Sequence, residues 1–423
     1  MAFGISALFW GIITLSLLVL VHEGGHFFAA RAFGIRVREF MIGLPGPKLS
    51  WKSKNTLYGV TAIPLGGYVK VVGMEGDQHN PLNEAVLAYI TAKREVEIED
   101  LAEHFNVNET KMYSIVLALR DLQAVTMKKN ETIRAVHPLE AAEDPDALYQ
   151  EARADSYLTL PAWKRIVILL SGILLNLVMA IAVFTVVFSL WGMYQDVGHV
   201  IPVPGAPADL AGVPAEARIV TIDGVAVSNF DELTAQIQTH QVGDSVTLEY
   251  QEPGVAYSNE MAYLTVTATL VANPDSGLPF LGVSPHFVKV RMSPIAAIAT
   301  SFEYLWLTAK AIAGFFNPAS FTQTIDQSAS VVGIAVIAAE AVKAGPYEYA
   351  GLIAAISLSL GLMNLLPIPP LDGGKIVLEL IEKIRRKPLS LNVSLGISAV
   401  GFSLLFTLMA YLLYNDFTRF IAR

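Results

Sequence analysis

His22 and His26 stand four residues apart, with Glu23 between them. On a helix that spacing is about 400°, so both imidazoles leave one face and can converge on one ion. Zinc held there would bring the pKa of water down to about 7 and polarise a carbonyl. The Glu23 carboxylate is placed to act first as general base and then as acid. The chain of 423 residues contains no cysteine, so every metal ligand must be His, Asp or Glu. A catalytic zinc needs a third protein ligand and an open fourth position. Asp372 is the best candidate. It follows Pro367-Ile368-Pro369-Pro370-Leu371 and precedes Gly373-Gly374, at the end of an apolar run. Irregular backbone at membrane depth is tolerated only against protein or a wet cavity. Taken alone, Asp372 is equally well explained as the cap of a helix starting near Gly374. Beside His22 and His26, the ligand role is favoured.

The elements that must position these residues are membrane helices. Hydrophobic residues make up 53% of the chain and charged residues 16%, a balance expected of an integral membrane protein. The formal net charge of -9 gives no global electrostatic argument for nucleic acid. Four uncharged runs are long enough to span a bilayer: 2–21, continuing helically to about Phe33, then 166–190, 350–371 and 388–414. The first lacks a basic leader before its apolar run and is expected to be a retained span rather than a cleaved signal peptide. It ends in His22, Glu23 and His26, and three ionisable groups closing such a segment point to function. Two weaker segments, 294–316 and 331–344, carry Glu303, Lys310, Glu340 and Lys343 and read as interfacial helices. Residues 31–165 hold 17 of the 29 Lys and Arg, with Arg31, Arg36, Arg38, Lys164 and Arg165 next to spans. The positive-inside rule then puts residues 34–160 and 373–388 in the cytoplasm, and both termini and residues 195–345 outside.

Between the spans lie three distinct compositions. Residues 34–80 alternate apolar and polar residues around turns such as Gly66-Gly67, as β-hairpins at the membrane would. Residues 81–137 read as helix, helix, helix and a short hairpin over 126–135, the order of a winged-helix domain. Its charges are mixed, so contact with a protein or a ligand, or a purely structural role, is favoured over DNA. His104 and His137 there read as surface residues. Residues 138–161 are acidic and read as a linker. The outer segment 195–286 is strand-rich, with Asn229 as an N-cap and Glu232 as its capping-box partner.

The two motifs together resemble a known family, the site-2 intramembrane metalloproteases, and most closely the bacterial group that regulates sigma factors. His22-Glu23-Gly24-Gly25-His26 is similar to the family's HExGH. Asn364 to Gly374, NLLPIPPLDGG, is similar to its NxxPxPxLDGG. The outer segment resembles a PDZ domain through Pro204-Gly205-Ala206-Pro207-Ala208 and Ile219-Val220-Thr221-Ile222-Asp223-Gly224. The resemblance implies a polytopic α-helical protein of the bacterial inner membrane that holds Zn2+. It further implies cleavage of single-pass transmembrane proteins in or near their helix, such as an anti-sigma factor or a remnant signal peptide already trimmed by another protease. The segment around Gly66-Gly67 would pair with unwound substrate by strand addition, although an ordinary turn explains the glycines as well. Asn176 matches a GPxxN element, and Asn364 a second family position. Either would hold substrate or transition-state oxygen, or else make ordinary interhelical hydrogen bonds. The chain departs from the family at Ile173, where the family has Pro, and in the insert 81–137.

Overall fold

The computed structural model describes residues 4–54, 56–63, 66–74, 80–128, 132–136, 145–253, 263–274, 276–326 and 328–420. These form two compact units, one of Met1–Phe184 with Ile298–Arg423 and the other of Thr185–Ala297. His137 and residues 138–144 lie outside the described residues.

The larger unit opens with α1, Ile5–Ala32. At 1.5 Å per residue it is about 42 Å long, more than the roughly 30 Å of hydrocarbon it would cross. A four-stranded sheet follows: β1 (Val37–Ile42), β2 (Lys48–Ser53), β3 (Thr56–Thr61) and β4 (Gly67–Val71), in the order β2-β3-β1-β4. Only β2 and β3 form the expected hairpin. β1 runs parallel to β3 and antiparallel to β4, which leaves β4 on the sheet edge. Alternation fixes which face a residue takes, but it carries no information about which strand lies alongside.

The insert comprises α2 (Asn83–Lys93), β5 (Glu95–Glu97), α3 (Ile98–His104), α4 (Glu109–Asp121), β6 (Val125–Met127) and β7 (Thr132–Ala135), its strands ordered β5-β7-β6. Asn108 caps α4 by accepting from the Lys111 N–H at 2.8 Å. Large aliphatic residues, among them Ile90, Leu101, Ile115, Leu119 and Ile133, fill its core. The stretch expected as a linker instead contains α5 (Pro145–Arg153). Its Tyr149 is buried in that core and hydrogen-bonded to Asn83. The acids that suggested a linker share this segment with core-facing residues, which the periodicity of so short a helix does not reveal.

α6 (Ala162–Leu190) leads into the second unit. Its elements are β8 (Met193–Gln195), β9 (His199–Pro202), α7 (Pro207–Leu210), β10 (Ala217–Ile222), β11 (Val225–Ala226), α8 (Phe230–Ile237), β12 (Ser245–Gln251), β13 (Leu264–Thr269), β14 (Val271–Ala272), β15 (Pro279–Phe280), β16 (Val283–Pro285) and β17 (Val288–Val290). The main antiparallel sheet runs β13-β12-β10-β9-β16. Asn229 caps α8 through the Glu232 N–H at 2.8 Å, while the Glu232 carboxylate reaches back to Ser228, one residue before the cap.

The chain closes with α9 (Pro294–Ala313), α10 (Phe321–Asp326), α11 (Val331–Ala344), α12 (Pro346–Asn364), α13 (Asp372–Arg385) and α14 (Leu391–Phe420). Within the described residues three helices are long and apolar enough to cross a membrane, over Ile5–Ala32, Ala162–Leu190 and Asn392–Thr418. α12 is shorter, 19 residues, and opens on Glu348 between two tyrosines. α11, read from its charges as interfacial, buries Gly333, Ala335, Val336, Ala338 and Ala339. It packs on α1 so closely that a Cβ at Gly11 would overlap Ala335.

Candidate metal centre

His22 and His26 lie on the buried stripe of α1 with Leu18 and Gly25. The stripe can hold two imidazoles because α6 approaches it on glycine. A Cβ at Gly25 would run into the Ser171 carbonyl, and one at Gly172 would meet the His26 ring. The His26 Nδ1 lies 2.7 Å from the carbonyl oxygen of Ile168. That oxygen can only accept, so Nδ1 carries the proton and Nε2 is turned inward. The Nε2 atoms of the two histidines are 3.3 Å apart.

Asp372 arrives from the other end of the chain. The turn after α12 doubles back so tightly that Cβ atoms at Gly373 and Gly374 would overlap the backbone of Leu365 and Pro369. Asp372 begins α13, yet its side chain faces the histidines and Lys375. Oδ2 lies 3.0 Å from His22 Nε2 and 3.0 Å from His26 Nε2. Oδ1 accepts from Lys375 Nζ at 3.2 Å. Among the described residues these three form the one group of His, Asp and Glu whose ligand atoms all lie within 4.8 Å of one another. All three are buried.

This donor set fits zinc. A tetrahedron with bonds of about 2.1 Å places its ligand atoms roughly 3.4 Å apart, and the observed separations of 3.0, 3.0 and 3.3 Å are within a few tenths of that. Two imidazoles and one carboxylate also match the three-ligand catalytic pattern.

The remaining sequence candidates fall at different distances. Glu23 is next to the cluster and half-buried. Gly67, at the start of edge strand β4, faces it: a Cβ there would sit 3.8 Å from Glu23 Cγ and 3.6 Å from Val19. Gly66, at φ +89°, makes the turn into that strand. Asn176 is fully buried on α6, with its amide nitrogen 3.4 Å from His22 Nδ1. The Asn364 amide is bonded within its own helix, to Leu360 O at 3.0 Å.

Several supporting residues escaped the sequence reading. Lys375 could have been found as the third residue after Asp372 on a helix. Ile168 acts through its backbone, so its side chain carries no signal. Glu379, two turns along α13 from Asp372, ties that helix to α6. Its carboxylate lies 3.1 Å from Arg165 and accepts from the Tyr157 hydroxyl at 3.2 Å. Burial pushes the Glu379 carboxyl above its ordinary pKa, and Arg165 offsets part of that rise.

Comparison with known proteins agrees with this chemistry. The family model described as peptidase family M50 matches residues 10–408. A putative zinc metalloprotease of Streptococcus pneumoniae is 28% identical over 430 residues, covering 97% of this chain and 98% of that protein. The zinc metalloprotease RasP of Shouchella clausii is 29% identical over 421 residues, covering 96% and 97%. Among solved structures, the PDZ domain of an SdrC-like protein from Listeria innocua is 25% identical, covering 22% of this chain and 94% of that domain, with a TM-score of 0.18.

Proposed function

The chain belongs to peptidase family M50 and is a zinc metalloprotease of the site-2 type, and on that premise we propose that it cuts single-pass membrane proteins within or near their transmembrane segment. The observation that carries this reading is the meeting of His22, His26 and Asp372, brought together across 350 residues at the end of an apolar helix. In this reading those three residues hold the zinc. When bound, zinc supplies a Lewis acid for the scissile carbonyl and acidifies water.

The chain's own residues do the rest. Glu23 takes the proton from the attacking water and returns it to the departing amine nitrogen, so the carboxylate ends as it began. The Ile168 carbonyl fixes His26 with Nε2 free to ligate. Asn176 does the same for His22 when its amide oxygen, which has no partner among the described residues, is turned towards Nδ1–H. In this reading Asn176 supports His22, in place of the substrate contact that its family position implies. Lys375 holds the second oxygen of Asp372 and balances its charge.

A peptide bond in a helix is shielded, so the substrate must be extended before attack. The place of β4 at the end of its sheet supports strand addition as the means. The strand begins at Gly67, whose missing side chain lets the Met41 carbonyl of β1 approach closely while the strand passes beside Glu23. In this reading Asn364, at the end of α12, contacts the substrate backbone.

The same reading makes α12 a fourth span and puts the protein in the bacterial inner membrane, with residues 195–286 as an outer PDZ-like domain. The insert is then a cytoplasmic winged-helix-like module, as its order of α2, β5, α3, α4, β6 and β7 suggests. Suitable substrates are anti-sigma factors and remnant signal peptides. The test compares membrane proteomes of cells carrying the native protein and the Glu23→Gln variant. Accumulation of trimmed single-pass proteins in the variant is expected, and identical proteomes would overturn the reading.

A further inference from the structure

Where the insert meets the β1–β4 sheet, the larger unit holds an open groove of about 590 Å³ that the protease chemistry does not use. The volume lies within the range of small-molecule sites. Four cationic side chains line it: Arg38, Lys52 and Lys70 from the sheet, and Arg120 from the insert. Gln123 and Thr126 add an amide and a hydroxyl. Glu39, the one carboxylate in the lining among the described residues, already accepts from Lys48 and from the Tyr68 hydroxyl, both at 2.9 Å. Among the described lining residues cations outnumber acids four to one. This stands out in a chain of net charge -9 whose insert is otherwise of mixed charge.

Arg38 is held in place rather than loose. Its guanidinium lies 3.4 Å from the fully buried Asp121 and donates to the Arg120 carbonyl at 3.3 Å. Asp121 also accepts from the Gly73 N–H at 2.7 Å, so one carboxylate fastens the insert to the sheet beside the groove. A pre-formed basic recess with amide and hydroxyl groups suits oxyanions bearing more than one acceptor, phosphates above all.

The geometry points to this groove as a binding site for a phosphate-bearing anion that bridges the insert and the sheet. The same chemistry is offered by the headgroup of an anionic phospholipid and by a soluble di- or triphosphate. β2, which carries Lys52, also displays Leu49 and Trp51 at 84% and 62% exposure, a surface suited to a bilayer interface. The bound anion would tie Arg120 of the insert to Lys70 of β4, the strand whose first residue faces Glu23. The insert thereby gains a means of setting the position of that edge strand.

The full-length chain, purified in detergent, is titrated with tripolyphosphate by calorimetry. In a second arm it is placed in nanodiscs of phosphatidylcholine with or without phosphatidylglycerol, and retained lipid is counted by native mass spectrometry. Lys52→Gln and Arg120→Gln together are expected to weaken binding by roughly a hundredfold, about tenfold for each charge-assisted hydrogen bond lost. Lys111→Gln, an exposed insert lysine away from the groove, is expected to leave it unchanged. Binding in the first arm alone identifies a soluble phosphate, and binding in the second alone identifies a lipid headgroup. Should the double variant melt early, Lys52→Gln alone carries the comparison, because that side chain is exposed. Absence of binding in both arms, or equal weakening by Lys111→Gln, overturns the proposal. Neither readout uses proteolysis, so failure here leaves the protease reading standing.

Discussion

The metal cluster and the insert solve opposite packing problems. The insert is built outward from bulky aliphatic side chains, and Asp121, a fully buried charge, sits at its border with the sheet. The cluster is built by removing side chains. Glycines at 25, 172, 373 and 374 bring backbones into contact, so that each candidate ligand has a fixed partner: the Ile168 carbonyl, the Asn176 amide and Lys375. A core of large residues can relax around a change, whereas a backbone contact has no side chain to move. The difference predicts sharp, all-or-none responses around the cluster and graded ones in the insert.

The largest effect expected is on Glu23. Glu23→Gln should lower turnover by about 10²- to 10⁴-fold, the usual contribution of a general base, with zinc content unchanged by atomic absorption. Zinc loss from that variant would make Glu23 part of the ligand set. Asp372→Ala tests the other side of the division. It should reduce zinc affinity by more than the roughly 100-fold that follows loss of an outer partner. Full zinc stoichiometry in dilute chelator would remove Asp372 from the centre.

The glycines give the most direct test of the packing contrast. Gly25→Ala forces a methyl against the Ser171 carbonyl, an overpacking expected to destabilise the larger unit by about 1–3 kcal/mol. Gly396→Ala, in α14 with nothing within 4 Å, should be neutral or stabilising by up to about 1 kcal/mol. Equal melting temperatures for the two variants would mean that α1 and α6 are free to separate. At the insert border, Asp121→Asn leaves Arg38 without its carboxylate while keeping the Gly73 hydrogen bond. The expected loss is smaller than that of the metal site, a few kcal/mol at most, and should appear as faster hydrogen exchange in α4 rather than as zinc loss.

The sequence made this contrast legible from one side only. His22, Glu23 and His26 were readable because ionisable groups in an oily helix are costly and have few bland explanations. Asp372 was readable only beside His22 and His26, since taken alone it was equally well explained as a helix cap. The insert's three helices and its hairpin were equally plain, although β5 was not. Tertiary partnership was not legible. The parallel pairing of β1 with β3, the docking of α5 by Tyr149, and the burial of α11 against Gly11 all depend on which surfaces meet. A backbone partner such as Ile168 leaves no trace in residue type, and the close approach at Gly172 is visible only once α1 lies beside it.

The smallest effect lies in the sheet that joins the two regions. Burial alone would push the Glu39 carboxyl up, but hydrogen bonds from Lys48 and Tyr68, with Lys48 and Lys70 charges nearby, outweigh it and hold the group below its ordinary value. A carboxyl depressed in the folded state contributes stability above its unfolded pKa of about 4.3, and that contribution is lost as pH falls through the lower folded value. The melting temperatures of the native chain and of Glu39→Gln should therefore differ most at neutral pH and converge on acidification below about pH 4. The gap should be modest, because the pair is partly open to solvent and screened. Cluster substitutions should leave this convergence unchanged, since none of its groups contacts Glu39. A gap that persists at low pH would assign the effect of Glu39 to shape rather than charge, and would make this border behave like the interior of the insert.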